Sequence, residues 1–172
     1  MRRRQLLGAA LLLPLEGLAQ TCGAITPRQT EGPFFKTDTP RRTSLVEGKP
    51  ARVFVLEGRV LSPQCQPVAN ALLDFWHADE RGDYDNRGFR YRGHQYTDAQ
   101  GRYRLETIVP AEYPGRTRHI HVKAQAPGRR VLTTQLYFPD DPANARDFLF
   151  KPELAMKMPR RGAGAFDFVI DA

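Results

Sequence analysis

The sequence is short of several things, and each shortage excludes a class of protein. No run of about 18 uninterrupted apolar residues occurs, which rules out a multi-spanning membrane protein. Only two cysteines are present, Cys22 and Cys65, too few to build a four-ligand zinc site on their own. Lys and Arg outnumber Asp and Glu by 26 to 19, but the basic residues are dispersed. There is no basic arm and no aromatic–basic stripe on which bases could stack, so nucleic acid is not an expected partner. Internal repeats and low-complexity tracts are also missing. What is there is enough for one packed domain: 172 residues, 41% of them hydrophobic. The 14 glycines and 14 prolines argue against a long helical bundle.

The first 19 residues read as an address. Arg2, Arg3 and Arg4 precede a short apolar run that ends in Gly17-Leu18-Ala19, the layout of an export signal. The Arg3-Arg4 pair followed by Gln5 and two leucines resembles a twin-arginine signal. The expected location is therefore periplasmic or secreted, with no stable membrane insertion once the signal is removed. An oxidising compartment makes a Cys22–Cys65 disulfide plausible, tying the N-terminal arm to the first strand pair. Residues 20–50 read as an irregular arm and residues 51–172 as the folded domain.

Short extended runs separated by turn signals predict an all-β fold, an antiparallel β-sandwich with long loops and at most one short helix. Strands are predicted over 51–61, 71–76, 95–97, 102–105, 119–124, 130–138 and 166–170, and the one helical segment over 141–148. Two of the four histidines, His119 and His121, lie two apart on a strand and therefore project from the same face. A pair of imidazoles suits a first-row metal, although two surface histidines would look the same. His77, at a strand end, and His94, in a loop, have no partner at ligand spacing. No acidic residue stands beside the pair as in a zinc hydrolase. Tyrosines do occur in neighbouring loops, Tyr84 in Gly82-Asp83-Tyr84 and Tyr113 in Glu112-Tyr113-Pro114. Phenolate is a hard anionic ligand, and a trivalent cation can hold it deprotonated.

Seven stretches in order carry a resemblance to a known family. They are Thr30–Phe35; Pro67–Ala71; Phe75–Asp79 through Gly82-Asp83-Tyr84; Thr97-Asp98 through Gly101–Tyr103; Thr107–Pro110 through Tyr113-Pro114; His119-Ile120-His121; and Gln135–Phe138. Over roughly residues 28–140 the chain resembles the intradiol ring-cleavage dioxygenases, the protocatechuate 3,4- and catechol 1,2-dioxygenase family. The resemblance implies one Fe(3+) per chain, held by Tyr84, Tyr113, His119 and His121. It implies a catechol-type substrate bound through both oxygens, with Tyr113 released from the metal as a proton acceptor. O2 is the co-substrate and a cis,cis-muconate-type diacid the product. Arg116, three positions before the first histidine, would stabilise developing negative charge, and Gln135 would orient it. A surface ion pair is the plain alternative for Arg116. Packing is the expected role of Tyr91, Tyr96, Tyr103 and Tyr137.

The chain departs from the family in places. Only five residues separate Tyr113 from His119, which shortens one wall of the pocket, and Arg118 stands where proline or alanine is common. There is no long helical N-terminal domain, so the dimer of the catechol 1,2-type enzymes is not expected. Arg90, Arg92, Arg116 and Arg118 near the motifs suggest a carboxylate-bearing or lignin-derived ring. Two other functions compete. A non-catalytic extracellular β-sandwich binding module would share the strand pattern but has no use for the His–Tyr set. A transthyretin-like zinc hydrolase would need a further carboxylate or histidine.

Overall fold

A computed structural model describes residues 22–50 and 52–172; the export signal expected over 1–19 lies outside them. The described residues form nine strands: β1 (Phe54–Leu61), β2 (Leu72–Trp76), β3 (Arg92–Tyr96), β4 (Arg102–Thr107), β5 (His119–Gln125), β6 (Leu132–Tyr137), β7 (Lys157–Arg160), β8 (Ala163–Ala165) and β9 (Phe168–Val169). They form two sheets, ordered β4-β1-β8-β7, with β9 also on β1, and β3-β2-β5-β6. The second sheet is antiparallel throughout. The first is mixed, because β1 pairs antiparallel with β4 but parallel with β8 and then β9 along its other edge. The sandwich expected from the sequence is present, with this parallel edge as a correction.

Alternation explains how the sheets meet. On β5, Ile120, Val122 and Ala124 point one way into the core, where they join Leu73 and Phe75 of β2, Phe54, Leu56 and Val60 of β1, and Leu105 of β4. Burying each large apolar side chain contributes about 1.5–3 kcal/mol, so this shared face holds the two sheets together. The intervening residues of the same strands, His119 and His121 among them, point to the opposite face. His119 and His121 are buried as well, because the N-terminal arm and two long loops cover that part of the face.

Turn chemistry fixes the connections. The Ser62 hydroxyl accepts from the backbone N–H of Gln64 and Gln66, both at 3.2 Å, and closes the turn after β1. Cys65 in that turn is disulfide-bonded to Cys22, which anchors the arm as expected. Asp98 accepts from Gln100 and Arg102 N–H at 2.9 and 2.8 Å and carries the chain from β3 to β4.

Other expectations need correction. The segment over 141–148 forms a 3-10 turn at Pro142–Arg146, capped by Asp141, and a second occupies Pro152–Leu154; no α-helix occurs among the described residues. Asp147 ends the first turn because its carboxylate binds backbone N–H groups outside it. His94 lies on β3, not in a loop, which makes that strand longer than predicted. β7 and β8 were not foreseen; they are four and three residues long, and β7 carries Pro159 at an exposed edge.

Candidate metal centre and catalytic site

The site grows from the covered face of the β3-β2-β5-β6 sheet. Register places Arg92, Trp76, His121 and Gln135 in one row across the four strands, with His119 opposite Tyr137 in the next row. All six side chains are buried. Trp76 stacks on His121, ring centroids 4.7 Å apart and planes 9° from parallel, and fixes the imidazole's orientation.

Two loops bring the tyrosines. In the first, the Asp79 carboxylate accepts from Arg81 and Asp83 N–H at 2.8 and 3.0 Å and folds the chain back on itself. Gly82 sits there at φ +90°, where an added Cβ would lie 2.4 Å from the Glu112 carbonyl oxygen. Only glycine lets the two tyrosine loops touch, which explains the Gly82-Asp83-Tyr84 spacing. In the second, Tyr113-Pro114-Gly115-Arg116 is a tight turn closed by Arg116 N–H to Tyr113 C=O at 2.9 Å, with Gly115 at φ +82°. This turn is why the short connection to His119 suffices. It also sets Tyr113 and Arg116 side by side, with Arg116 Nη1 donating to the Tyr113 hydroxyl at 3.3 Å.

The four expected ligands converge. His119 Nε2 and His121 Nε2 face each other at 3.1 Å. Ring centroids lie 5.5 Å apart for Tyr113 and His119, 6.1 Å for Tyr84 and His121, and 5.8 Å for the two phenols. His119 Nδ1 lies 2.6 Å from the Thr117 carbonyl, an acceptor only, so Nδ1 carries the proton and Nε2 the free lone pair. Burial, with Arg116 nearby, pushes His119 down to about 4. Burial, together with the charges of His119 and Arg116, pushes His121 well below its ordinary value. Both imidazoles are therefore neutral, as metal ligands must be.

The Tyr84 hydroxyl is buried and has no hydrogen-bond partner among the described residues. Burial and the neighbouring Tyr113 push its pKa up, so without a cation it stays a neutral, unsatisfied phenol. A metal ion reverses that penalty. No group of three or more His, Cys, Asp or Glu at metal spacing exists among the described residues, so a centre here has to use the phenols. Two neutral imidazoles and two phenols fit a hard trivalent ion such as iron(III).

Arg116 is held on every side. Its Nε donates to Asp147 Oδ2 at 2.9 Å and its Nη2 to Gln135 Oε1. Gln135 is itself oriented by donating from Nε2 to the Thr30 carbonyl at 3.0 Å. Burial works against the Arg116 cation, but Asp147 and the nearby phenols outweigh it, and its pKa is raised. The ion pair is interior, with side-chain exposures of 10% and 1%. A cleft of about 330 Å³ opens beside it, lined by Tyr113, Arg116, Ala143, Arg146 and Asp147 among others.

Sequence reasoning missed Asp147, which no motif marks, and gave Tyr137 a packing role. The Tyr137 hydroxyl in fact lies 3.1 Å from Gln135 Oε1 and 2.6 Å from Gln29 Oε1, inside the Arg116 network. It also missed why Thr30–Phe35 matters. Thr30 holds Gln135, Gly32 passes close to His121, Phe34 stacks on Tyr84 at 4.3 Å and Phe35 packs on Trp76 at 4.9 Å. The other two histidines are accounted for: His77 bonds Thr107 and Ala78, and His94 bonds Thr39. Three of the arginines near the motifs are committed internally, Arg90 to Asp79, Arg118 to Asp141, and Arg116 to Asp147.

Comparison with known proteins gives the family. A family model described as Dioxygenase (Dioxygenase_C) matches residues 30–171. The chain belongs to the intradiol ring-cleavage dioxygenases. It is 34% identical to catechol 1,2-dioxygenase 2 of Acinetobacter lwoffii, over 73% of this chain and 55% of that protein. It is 38% identical to the protocatechuate 3,4-dioxygenase beta chain of Burkholderia cepacia, over 59% of this chain and 52% of that one. The chain thus spans about half the length of these curated relatives. Among solved structures, it resembles the dioxygenase domain of a dioxygenase–carbohydrate-binding protein fusion from the cellulolytic bacterium Streptomyces sp. SirexAA-E. That match is 56% identical with a TM-score of 0.83, covering 86% of this chain and 99% of that one.

Proposed function

We propose that the protein is a non-haem iron(III) intradiol dioxygenase. It would take a catechol-type diol and O2, break the ring bond between the two hydroxylated carbons, and yield a cis,cis-muconate-type diacid that keeps both oxygen atoms. The observation that carries this reading is the meeting of two loop phenols with a neutral imidazole pair beside a buried, fully bonded guanidinium.

Tyr84, Tyr113, His119 and His121 would hold the ion. Bound iron(III) supplies a Lewis acid that binds the diol as a dianion and makes its ring reactive toward O2. The protein's own groups do the rest. His119 is locked in one tautomer by Thr117. Tyr113 lies at the cleft wall with its hydroxyl oxygen beside Arg116 Nη1, placed to take a proton from the incoming diol at that oxygen. Arg116 keeps its charge at every working pH and faces the same space, a fixed positive charge for negative charge that develops on the ring and oxygen. Gln135 and Asp147 prevent the guanidinium from turning away. Phe34, Phe35 and Trp76 exclude water from the far side.

The reading extends to location. The twin-arginine-like start and the Cys22–Cys65 disulfide together support export to an oxidising compartment. Oxygen uptake by the iron-loaded protein against a panel of substituted catechols tests the activity. Consumption of one O2 per diol, with a ring-opened diacid as product, is the expected result. No uptake with any member of the panel would overturn the proposal.

A further inference from the structure

The cleft beside the metal centre lies between two walls, and three successive residues join them. One wall is the segment from Glu112 to Thr117; the other is the 3-10 turn and its end, with Ala143, Arg146 and Asp147. Arg116 Nε donates to Asp147 Oδ2 at 2.9 Å, the Thr117 hydroxyl to Asn144 Oδ1 at 2.8 Å, and Arg118 Nε meets Asp141 Oδ2 at 2.9 Å. The turn is thus gripped at its end, its middle and its start. Arg118 alone of the three also reaches back to the first wall, with Nη2 at 3.8 Å from Glu112 Oε1. That second contact is exposed on both sides and contributes little by itself. The Asp141 contact is different, because the carboxylate is only 3% exposed. Its Oδ1 accepts from Ala143 N–H at 2.9 Å and starts the turn. Its Oδ2 is buried, and among the described residues the Arg118 guanidinium is the one group that answers it. Removing the partner of a buried charge is destabilising well beyond the worth of the pair.

We propose that Arg118 is the brace that sets the width of this cleft, a positioning residue that fixes how large a substituent the diol ring can carry. The inference rests on the dioxygenase reading above, whose substrate the cleft would admit. Without Arg118 the Asp141 carboxylate turns toward water, and the turn it caps moves with it. Ala143 and Arg146 then draw away from Tyr113 and Pro114. Asp147 stays tied to Arg116 Nε and to Thr117 N–H at 3.0 Å, so the turn pivots about its far end and does not detach. Arg118 therefore governs which ring fits, whereas Arg116 acts on the ring once it is bound.

The test compares wild type with Arg118→Ala, Arg118→Lys, Asp141→Asn and the double variant Arg118→Ala/Asp141→Asn. Hydrogen exchange on the metal-free proteins follows the Ala143 and Asn144 amides, both bonded to Asp141. Oxygen uptake by the iron-loaded proteins gives kcat and KM for catechol and for a tert-butyl-substituted catechol. Arg118→Ala is expected to speed exchange at the two amides by about tenfold as the turn opens locally. It is expected to shift the ratio of kcat/KM toward the bulky diol by about tenfold, the low end of what a pocket gains or loses over one alkyl carbon. The kcat for catechol should change by less than about twofold, since the groups acting on the bound ring stay in place. Arg118→Lys, which keeps the charge, should restore most of both properties. With Asp141→Asn already present, removing Arg118 should add little, because the charge it answers is gone. Faster exchange with an unchanged substrate ratio would make Arg118 a stabiliser of the turn only and overturn the inference. An equal effect of Arg118→Ala in both backgrounds would overturn it too. Should Arg118→Ala fail to fold, Arg118→Gln is read in its place with the same two outcomes. A wild type that consumes no O2 with any diol would remove the functional reading and this inference with it, and the exchange rates would tell that failure from a failure of the brace.

Discussion

The two faces of the β3-β2-β5-β6 sheet are made by the same strands and have opposite characters. The inner face carries Leu73, Phe75, Ile120, Val122, Ala124 and Leu136, apolar and fully enclosed. The outer face carries Arg92, Trp76, His121 and Gln135 in one row, equally enclosed but polar. Five buried side-chain polar atoms have neither a hydrogen-bond nor an ion-pair partner among the described residues, and four of them lie in this row or on the loop that covers it: Trp76 Nε1, Tyr84 Oη, Arg92 Nη2 and His121 Nδ1. Unsatisfied buried groups are rare, so their concentration marks where stability gives way to chemistry. The inner face explains why the protein folds, and the outer face explains what the fold is for.

Substitutions on the outer face should sharpen that contrast. His121→Ala or Tyr84→Phe is expected to weaken iron(III) binding by more than about 100-fold, beyond the loss typical of a residue that merely supports a ligand; metal analysis after dialysis measures it. Phe75→Ala on the inner face is expected to cost about 3–5 kcal/mol of stability in a denaturant melt, with folded molecules still binding iron. Retained iron in the first pair, or lost iron in the folded Phe75 variant, would break the comparison.

Arg116→Ala should keep iron and lose turnover by about 100- to 1000-fold, because the charge acts on the reacting groups and not on the metal. Steady-state oxygen uptake on metal-replete protein measures it, and a fall in iron content would contradict it. Asp147→Asn should have a smaller effect, about 10-fold in kcat with little change in iron content, since Asp147 acts through Arg116. Asp147→Glu, which keeps the charge, should recover part of the loss.

The weakest lever is pH. Burial holds His77 and His119 at about 4, against an ordinary value of 6.5. Between those values the unfolded chain binds more protons than the folded one, so stability rises with pH. The metal-free protein should be at full stability above about pH 6.5 and lose it as pH falls toward 4. A urea midpoint that stays flat across that window would contradict the burial of neutral imidazoles.

Part of the core was legible in the sequence, because period-two alternation records which residues face inward, as in Ile120 and Val122 of β5, whereas on β1 an alternation read around Val53 and Val55 takes the wrong face: Phe54 and Leu56 enter the core and Val53 is exposed. Pro114-Gly115 and Asp98–Gly101 likewise announce their turns. The His–Tyr set was legible because it is unusual chemistry in few residues. Asp147 was not, since it reaches Arg116 across 31 positions from the end of a 3-10 turn. Arg92 was read only as general positive charge, because nothing local shows that a strand arginine is enclosed. β8 was missed because Ala163-Gly164-Ala165 has no strand-like side chains. Its Gly164 is required where Phe54 Cζ would lie 2.6 Å from an added Cβ.

The most direct test of the central claim is to add iron(III) to the metal-free wild-type protein and record metal content and visible absorption together. One tightly held iron per chain, with a broad visible band that turns the solution red, is the outcome expected when phenolates ligate the ion. A protein that binds iron yet stays colourless would show that Tyr84 and Tyr113 do not hold it, and the account of the outer face would fail.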